Sequence, residues 1–470
     1  MAPNDAAAAS ETGIPCALVS RDMHTHDERL TRMVLTAMHD RLAMDPVPLD
    51  RPGDVAALTA QLSGLITEEG ADPHDVMSLW SDVLAPHVMS SDASNFLAFI
   101  PAAPTKAALL FDMLVSGASI QGISALEAAG AIAAENQVLR FLADRAGLPA
   151  SAGGVFVSGG SAGNLSALTV MRDLGRRRRG LVRGDVVRVA VSDQAHSSIH
   201  NALSILDMDA LVVPTTDHRL TGAELAAALD ADPGPGNVVG VVATAGTTNA
   251  GIIDDLATIS EVTHSRDLWL HVDGAYGGGG LLAPSVRPLY AGIENADSFV
   301  VDPHKWLFAP YDCAALLYRE PRLAKAVHTQ DASYLDVIHT DGDEWNPSDL
   351  AYHLTRRARG LPLWFSLAVN GTDAYTAAVE SALDLARWTA RHIEAQPQLR
   401  LLREPTLSVV LFERIGWAPA DYDRWASALL DEQVALVTST KWEGRTVGRL
   451  VFLHPRTTTA LVEEVLTRTA

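Results

Sequence analysis

Cysteine is scarce. The 470-residue chain carries two, Cys16 and Cys313, too few for a disulfide framework or a thiolate metal site. Bases are outnumbered as well: 36 Lys and Arg stand against 57 Asp and Glu, a formal charge of −21. That balance excludes a nucleic-acid scaffold, because neutralising a phosphate backbone needs a surplus of cations. No apolar run approaches the ~18 residues of a membrane span, so no membrane partner is expected. The amino terminus, MAPNDAAAASETG, is acidic where a secretory signal is basic, and a cytoplasmic location is expected. What is present is a globular composition, 48% apolar and 20% charged. The length allows roughly two to four units, or one large domain with appendages.

Residues 1–27 are small and polar and read as an arm. Leu30, Met33, Val34, Ala37, Met38 and Leu42 recur at helical spacing, which predicts a helix over 28–44. Further helical stretches fall at 54–68 and 74–86. This region is too thin to bury a core alone, and it is expected to pack on the main body or on a second subunit. From about 105 to 325 short apolar runs alternate with helical stretches. The predicted strands are 154–157, 187–191, 210–213, 238–243, 268–272, 298–301 and 314–318. They are continuously apolar, as strands buried on both faces must be. Helical stretches near 162–175, 197–206, 221–230 and 254–265 separate several of them, the pattern of a mainly parallel α/β sheet. Asp331–Leu350 is Asp-rich and aperiodic and reads as a long loop. A helix over about 372–395 and apolar runs at 407–412 and 450–453 predict a smaller α+β domain.

Four features fall at ends of predicted strands, where open α/β sheets bind ligands. Ser158-Gly-Gly-Ser-Ala-Gly-Asn164 lies between a strand and a helix, where small residues let backbone N–H groups approach an anion. A tight strand–helix turn would read the same way. The segment lacks the spacing of G-x-G-x-x-G and of the G-x-x-x-x-G-K-[ST] loop, so dinucleotides and nucleoside triphosphates fit poorly. His196 follows the second strand; a lone histidine is more often structural. Asp273 ends the strand in Leu-His-Val-Asp273-Gly-Ala-Tyr276, where it also suits a cap. Lys305 follows a strand in Asp302-Pro-His-Lys-Trp306. A buried unpaired ammonium is costly, and Schiff-base chemistry removes that oddity.

Taken in order, these parts match the needs of pyridoxal phosphate. A lysine holds it as an imine, and a carboxylate keeps its ring nitrogen protonated, which makes the ring an electron sink. A glycine-rich helix start holds its phosphate, and a flat ring stacks on its face. On Ser158–Asn164, Ala243–Thr248, His271–Tyr276 and Asp302–Trp306, all in one order, the chain resembles the pyridoxal-phosphate-dependent group II amino-acid decarboxylases. That family includes aromatic-amino-acid, histidine and glutamate decarboxylases. The likeness runs from Asn95–Pro101 to His454–Thr457, most of the chain.

The resemblance implies the aspartate-aminotransferase-type fold (fold type I), with a mainly parallel seven-stranded sheet and a smaller carboxyl-terminal α+β domain. It implies an obligate homodimer with the site between subunits. It divides the chain into an arm with a helical dimerisation segment (1–100), a cofactor-binding domain (101–350) and a small domain (351–470). By the same resemblance Lys305 forms the internal aldimine, and Asp273 pairs with the pyridine nitrogen. His196 stacks on the ring with Ala275 beneath the other face. Ser161, Ala162, Gly163 and His304 match phosphate-binding positions, and Thr248 matches a residue beside cofactor and substrate carboxylate. The implied reaction is decarboxylation of an L-amino acid to its amine, through an external aldimine and a quinonoid. No metal is implied.

Three departures bear on chemistry. Asp302 stands where the family often has Asn, and a carboxylate there is expected to point away from a phosphate or to accept hydrogen bonds elsewhere. The substrate wall offers Ile100, Gln121 and Ile123 where aromatic side chains are usual, suggesting a substrate without a large flat ring. The loop position of a proton-donating tyrosine falls near Trp345-Asn-Pro347, with Tyr334 and Tyr352 out of register. Without that acid, decarboxylation-dependent oxidative deamination to an aldehyde is an alternative; otherwise His196, His328, His339 or His353 supplies the proton. Aminotransferase activity and a non-catalytic binding protein on the same fold complete the readings. Arg176–Arg179 reads as a solvated helix end, and Asp254-Asp255 as a cap for the helix that follows.

Overall fold

A computed structural model of the chain describes residues 23–338 and 345–469. Three short helices open it, Glu28–Ala43 (α1), Val55–Gln61 (α2) and Pro73–Leu79 (α3), each started by an Asp whose side chain accepts first-turn N–H groups. None of the three buries a single side chain, so their apolar residues remain at the surface. The second and third are shorter than predicted: Gly64 and Gly70 adopt positive φ after α2, and wider and tighter turns over 80–87 replace the end of α3. Helices Lys106–Gly117 (α4) and Ala125–Arg145 (α5) follow.

The main sheet has seven strands: Gly153–Val157 (β1), Arg188–Ser192 (β2), Asp209–Val213 (β3), Val238–Thr244 (β4), Trp269–Asp273 (β5), Ser298–Val301 (β6) and Ala314–Tyr318 (β7). Their order is β1-β7-β6-β5-β4-β2-β3. Only β7 runs antiparallel to its neighbours; the other pairs are parallel. Every residue of β4, β5, β6 and β7 is buried, which accounts for the unbroken apolar runs. Gly160–Arg179 (α6), Ser197–Ile205 (α7), Gly222–Ala231 (α8) and Leu256–Ser265 (α9) cross between successive strands from β1 to β5. Helix α6 lies close on the sheet because Gly163 has no Cβ; one would stand 2.6 Å from Val300 Cγ2. Asp255 caps α9, whereas Asp254 corrects the sequence reading. It is fully buried and accepts N–H bonds from Leu220 and Thr244 at 2.9 and 2.7 Å, tying two loops instead of a helix end.

After β6 come Pro303–Trp306 (α10) and Pro321–His328 (α11). The expected long loop contains only short 3-10 turns at 333–338 and 347–349 in its described part. Leu361–Asn370 (α12), Thr372–Glu394 (α13), Pro419–Asp431 (α14) and Thr459–Thr467 (α15) then accompany a second, antiparallel sheet. It comprises Leu399–Leu401 (β8), Val409–Arg414 (β9), Thr438–Trp442 (β10) and Arg445–Val451 (β11), in the order β10-β11-β9-β8. Backbone bonds join it to an earlier segment, from Leu97 N–H to the Leu436 carbonyl (2.8 Å) and from Val451 N–H to the Leu97 carbonyl (3.0 Å).

One buried ion pair holds α5 to the entry of α12. Arg356 Nη2 meets both oxygens of Glu135 at 2.7 and 2.8 Å, its Nη1 donates to the Gly122 carbonyl, and Gly360 N–H donates to Glu135. Glu135→Ala would leave a guanidinium buried and unpaired. We expect it to lower stability by ~3–5 kcal/mol, read as a lower denaturant midpoint; a loss below ~1 kcal/mol would show that the pair is dispensable.

Candidate active site

Five strands of the main sheet deliver side chains to one cavity of about 210 Å³ at their carboxyl ends. Gly159, Gly160, Ser161 and Asn164 follow β1; His196 and Ser198 follow β2; Thr244 ends β4 and Gly246, Thr247 and Thr248 follow it. Asp273, Ala275 and Tyr276 end β5, and Asp302, His304 and Lys305 follow β6. Parallel pairing explains this convergence. Thr244 is the register partner of Asp273, and Asp273 that of Val300, so three neighbouring strands stop together.

Asp273 is 5% exposed. Its Oδ2 accepts from Asn164 Nδ2 at 3.0 Å and its Oδ1 from Ala275 N–H at 3.1 Å, which aims the carboxylate without neutralising it. Lys305 projects from the four-residue helix α10, and its Nζ lies 2.9 Å from Asp302 Oδ2. Asp302 is thus engaged by the lysine, in keeping with the expectation that it accepts hydrogen bonds elsewhere. It lies one helical turn before Lys305, where an ammonium compensates it, and His304 Nε2 stands 3.5 Å from the same oxygen. Among the described residues its buried Oδ1 has no hydrogen-bond partner. Burial holds the His304 imidazole below its ordinary range, against the opposing pull of Asp302. Its Nδ1 accepts from Cys313 N–H at 2.9 Å, which leaves Nε2 to carry the proton.

The start of α6 bears on anion binding. The N–H groups of Gly160 and Ser161 have no intrahelical acceptor, by their position in the first turn. Those of Ala162 and Gly163 are both committed to the Gly159 carbonyl at 3.0 Å, and neither residue lines the cavity. Of the three predicted small residues, only Ser161 reaches it. Gly160 keeps the cavity open: a Cβ there would sit 2.8 Å from Ala275 Cβ and 3.1 Å from Asp302 Oδ2. An amine, a carboxylate held by two donors and a helix start with free N–H groups form the donor set that pyridoxal phosphate requires, so the residues present fit it.

The substrate-wall residues lie elsewhere within one chain. Ile123 packs with Leu335 and Ile338, Gln121 bonds Glu127 at 3.0 Å, and Ile100 lies against the main core; none lines the cavity. His328 bonds the Ser166 carbonyl and His353 is half-buried, also away from it; His339 lies outside the described residues. Sequence reasoning missed Arg449, 5% exposed on β11. It donates to the carbonyls of Thr248 (2.7 Å), Phe99 (3.0 Å) and Asn249 (3.2 Å). It also missed Tyr276, whose hydroxyl bonds Ser408 at 2.6 Å and whose ring stacks on Trp306. No sequence spacing signals either contact, since each joins the two sheets.

The pyridoxal-dependent decarboxylase conserved domain matches residues 57–415. An aromatic-L-amino-acid decarboxylase of Bacillus atrophaeus is 30% identical over 434 residues, 89% of this chain and 88% of the relative. An L-2,4-diaminobutyrate decarboxylase of Rhizobium meliloti is 34% identical over 348 residues, 71% of this chain and 68% of the relative. In fold, the crystal structure of Oryza sativa TDC with PLP and tryptamine superposes with a TM-score of 0.86 at 24% identity, covering 94% of this chain and 97% of that one. The chain belongs to the pyridoxal-dependent decarboxylase family, carboxy-lyases that act on amino acids with pyridoxal phosphate as cofactor.

Proposed function

We propose that the chain converts an L-amino acid to its amine and carbon dioxide in the cavity at the ends of β1, β2, β4, β5 and β6. In this reading Lys305 carries the cofactor, Asp273 faces its ring nitrogen, and His196 and Ala275 lie on its two faces. The start of α6 at Gly160 and Ser161, together with His304, receives its phosphate, and Thr248 lies beside the substrate carboxylate. One observation carries the reading: neighbouring parallel strands bring the Lys305 amine and the Asp273 carboxylate to the same cavity.

Bound there, pyridoxal phosphate supplies an electron sink for the pair released when the carboxylate leaves. The chain does the rest. The buried Asp273 carboxylate, fixed by Asn164 and the Ala275 amide, holds positive charge opposite itself more strongly than water would. Asp302 orients the free Lys305 amine, whose Nζ it meets at 2.9 Å. Arg449 fixes the Thr248 carbonyl and so the position of that loop. Peptide mapping after borohydride reduction of the loaded protein tests the assignment: the cofactor is expected on the peptide containing Lys305, and its recovery elsewhere would sink the proposal.

We assign the working form as a homodimer whose partner completes each cavity, with Ile100, Gln121 and Ile123 on the wall so formed. Support comes from α1–α3, which bury no side chain, and from an apolar groove lined by Val34, Met38, Leu42, Trp80, Leu109 and Met113. Trp80 is 49% exposed in the single chain. Sedimentation is expected to give twice the chain mass, and Trp80→Glu to shift it towards the monomer with loss of activity; a fully active monomer would overturn the assignment. The aliphatic and amide wall favours a substrate without a large flat ring, nearer in kind to that of the diaminobutyrate relative. The division at 100 and 350 and a cytoplasmic location belong to the same proposal, resting on the placement of the two sheets and on the scarcity of cysteine.

A further inference from the structure

Behind the cavity wall lies a continuous set of hydrogen bonds that the reaction scheme does not yet use. Trp269 Nε1 donates to Ser298 Oγ (2.9 Å), and Ser298 Oγ lies 2.8 Å from His271 Nδ1. His271 Nε2 lies 2.8 Å from Asn164 Oδ1. Asn164 Nδ2 reaches both Asp273 Oδ2 (3.0 Å) and Ser198 Oγ (3.1 Å), and Ser198 Oγ lies 2.9 Å from His196 Nδ1. Ser198 N–H points at that same nitrogen from 3.2 Å.

The hydrogens follow from one fixed point. An ionised carboxylate only accepts, so the Asn164 atom facing Asp273 is the amide nitrogen; the flipped amide would set two acceptors 3.0 Å apart. Asn164 Oδ1 then faces His271 and requires an N–H at its Nε2. His271 is wholly buried, and that burial pushes its pKa down to about 4, so the ring is neutral and its Nδ1 takes the Ser298 hydroxyl proton. On the other side, the second Asn164 amide hydrogen goes to Ser198 Oγ. The Ser198 hydroxyl proton is thereby free to go to His196 Nδ1, which also receives the Ser198 N–H. All donors run in one sense, from Trp269 to His196, and no hydrogen or lone pair in the series is left facing its like.

We infer that Asn164 is a positioning residue that sets two groups at once: it orients the Asp273 carboxylate and, through Ser198, fixes His196 as the tautomer protonated at Nε2. This rests on the roles proposed above for Asp273 and His196. Two consequences follow. His196 presents a donor to whatever occupies the cavity, so the ligand atom it meets is an acceptor, such as a carboxylate or phenolate oxygen. An amide also passes no proton. Asn164 bonds Asp273 directly and His196 only through Ser198, so the two groups share no hydrogen bond.

Neutron diffraction from perdeuterated, cofactor-loaded crystals tests this directly. Deuterium is expected on Nε2 of His196 and of His271, none on His196 Nδ1, and both Asn164 amide deuterons directed at Asp273 and Ser198. Deuterium on His196 Nδ1, or the Asn164 oxygen turned to Asp273, overturns the inference. In solution, Asn164→Asp places a second carboxylate beside Asp273 and is expected to weaken cofactor binding about 100-fold, while Ser198→Ala, which spares the Asp273 contact, weakens it less than ~10-fold. Unchanged affinity in Asn164→Asp overturns it too. If that variant does not fold, Asn164→Ala, expected to weaken binding ~10-fold or more, takes its place. Failure of the Lys305 assignment would appear in the reduction map and leave these hydrogen positions readable.

Discussion

Replacing Lys305 by alanine is expected to reduce turnover on the order of 10⁴-fold or more and to abolish borohydride fixation of the cofactor, without unfolding the chain. The argument begins with placement. Lys305 sits on a four-residue helix directly after a wholly buried strand, with its amine 2.9 Å from Asp302 and facing the cavity. The variant leaves the Asp302 carboxylate buried without its cation, which is why a lower melting temperature should accompany the loss of activity. Arginine at this position restores the charge but not the nucleophile, because a guanidinium stays protonated. A Lys305→Arg chain that melts like the unaltered one yet stays inactive separates the two contributions. Turnover by Lys305→Ala within ~10-fold of the unaltered chain would mean that another group holds the cofactor.

Asp273→Asn is expected to cost on the order of 10²–10⁴-fold in kcat, with a smaller change in KM. The substitution keeps the shape and removes the charge, and its single amide oxygen can accept from only one of the two donors, Asn164 Nδ2 or Ala275 N–H. At 5% exposure, solvent screens that charge poorly, so its removal is felt in full at the atom it faces. Asp273→Glu keeps the charge and displaces it by a methylene into a wall closed by Asn164 and Thr244. It should recover part of the rate. If the asparagine variant turned over as fast as the unaltered chain, the carboxylate would be a structural cap and the assignment would fail.

Much of this fold can be read from the chain because β4 to β7 are buried on both faces. Runs such as Val238–Thr244 then carry no polar interruption and end near the residues that do chemistry. Less legible were α4 and α5. The latter reads ALEAAGAIAAENQVLRFLADR, in which alanine obscures the stripe, and Glu135, an apparent surface residue, lies buried against Arg356. The strands β8 and β10 escaped notice because they are sheet edges, short in one case and polar (TSTKW) in the other. In the site, strand-end residues could be found one by one. What could not be found was pairing across distance. Asn164 stands in the glycine-rich segment, yet its partner Asp273 is 109 residues away, and Arg449 is 201 residues from Thr248. Asp302 shows what charge alone leaves open: a carboxylate repels an anion, but only the structure names its partner, the lysine one turn later.

The most direct test of the whole account follows carbon dioxide and the organic product from the cofactor-loaded protein across a panel of carboxyl-labelled L-amino acids. The account predicts that at least one member of the panel, of the kind without a large flat ring, releases its label as carbon dioxide with one equivalent of the matching amine. Aldehyde with peroxide in place of amine would keep the decarboxylation and reassign the product. A keto acid formed with no release of carbon dioxide would contradict the account outright.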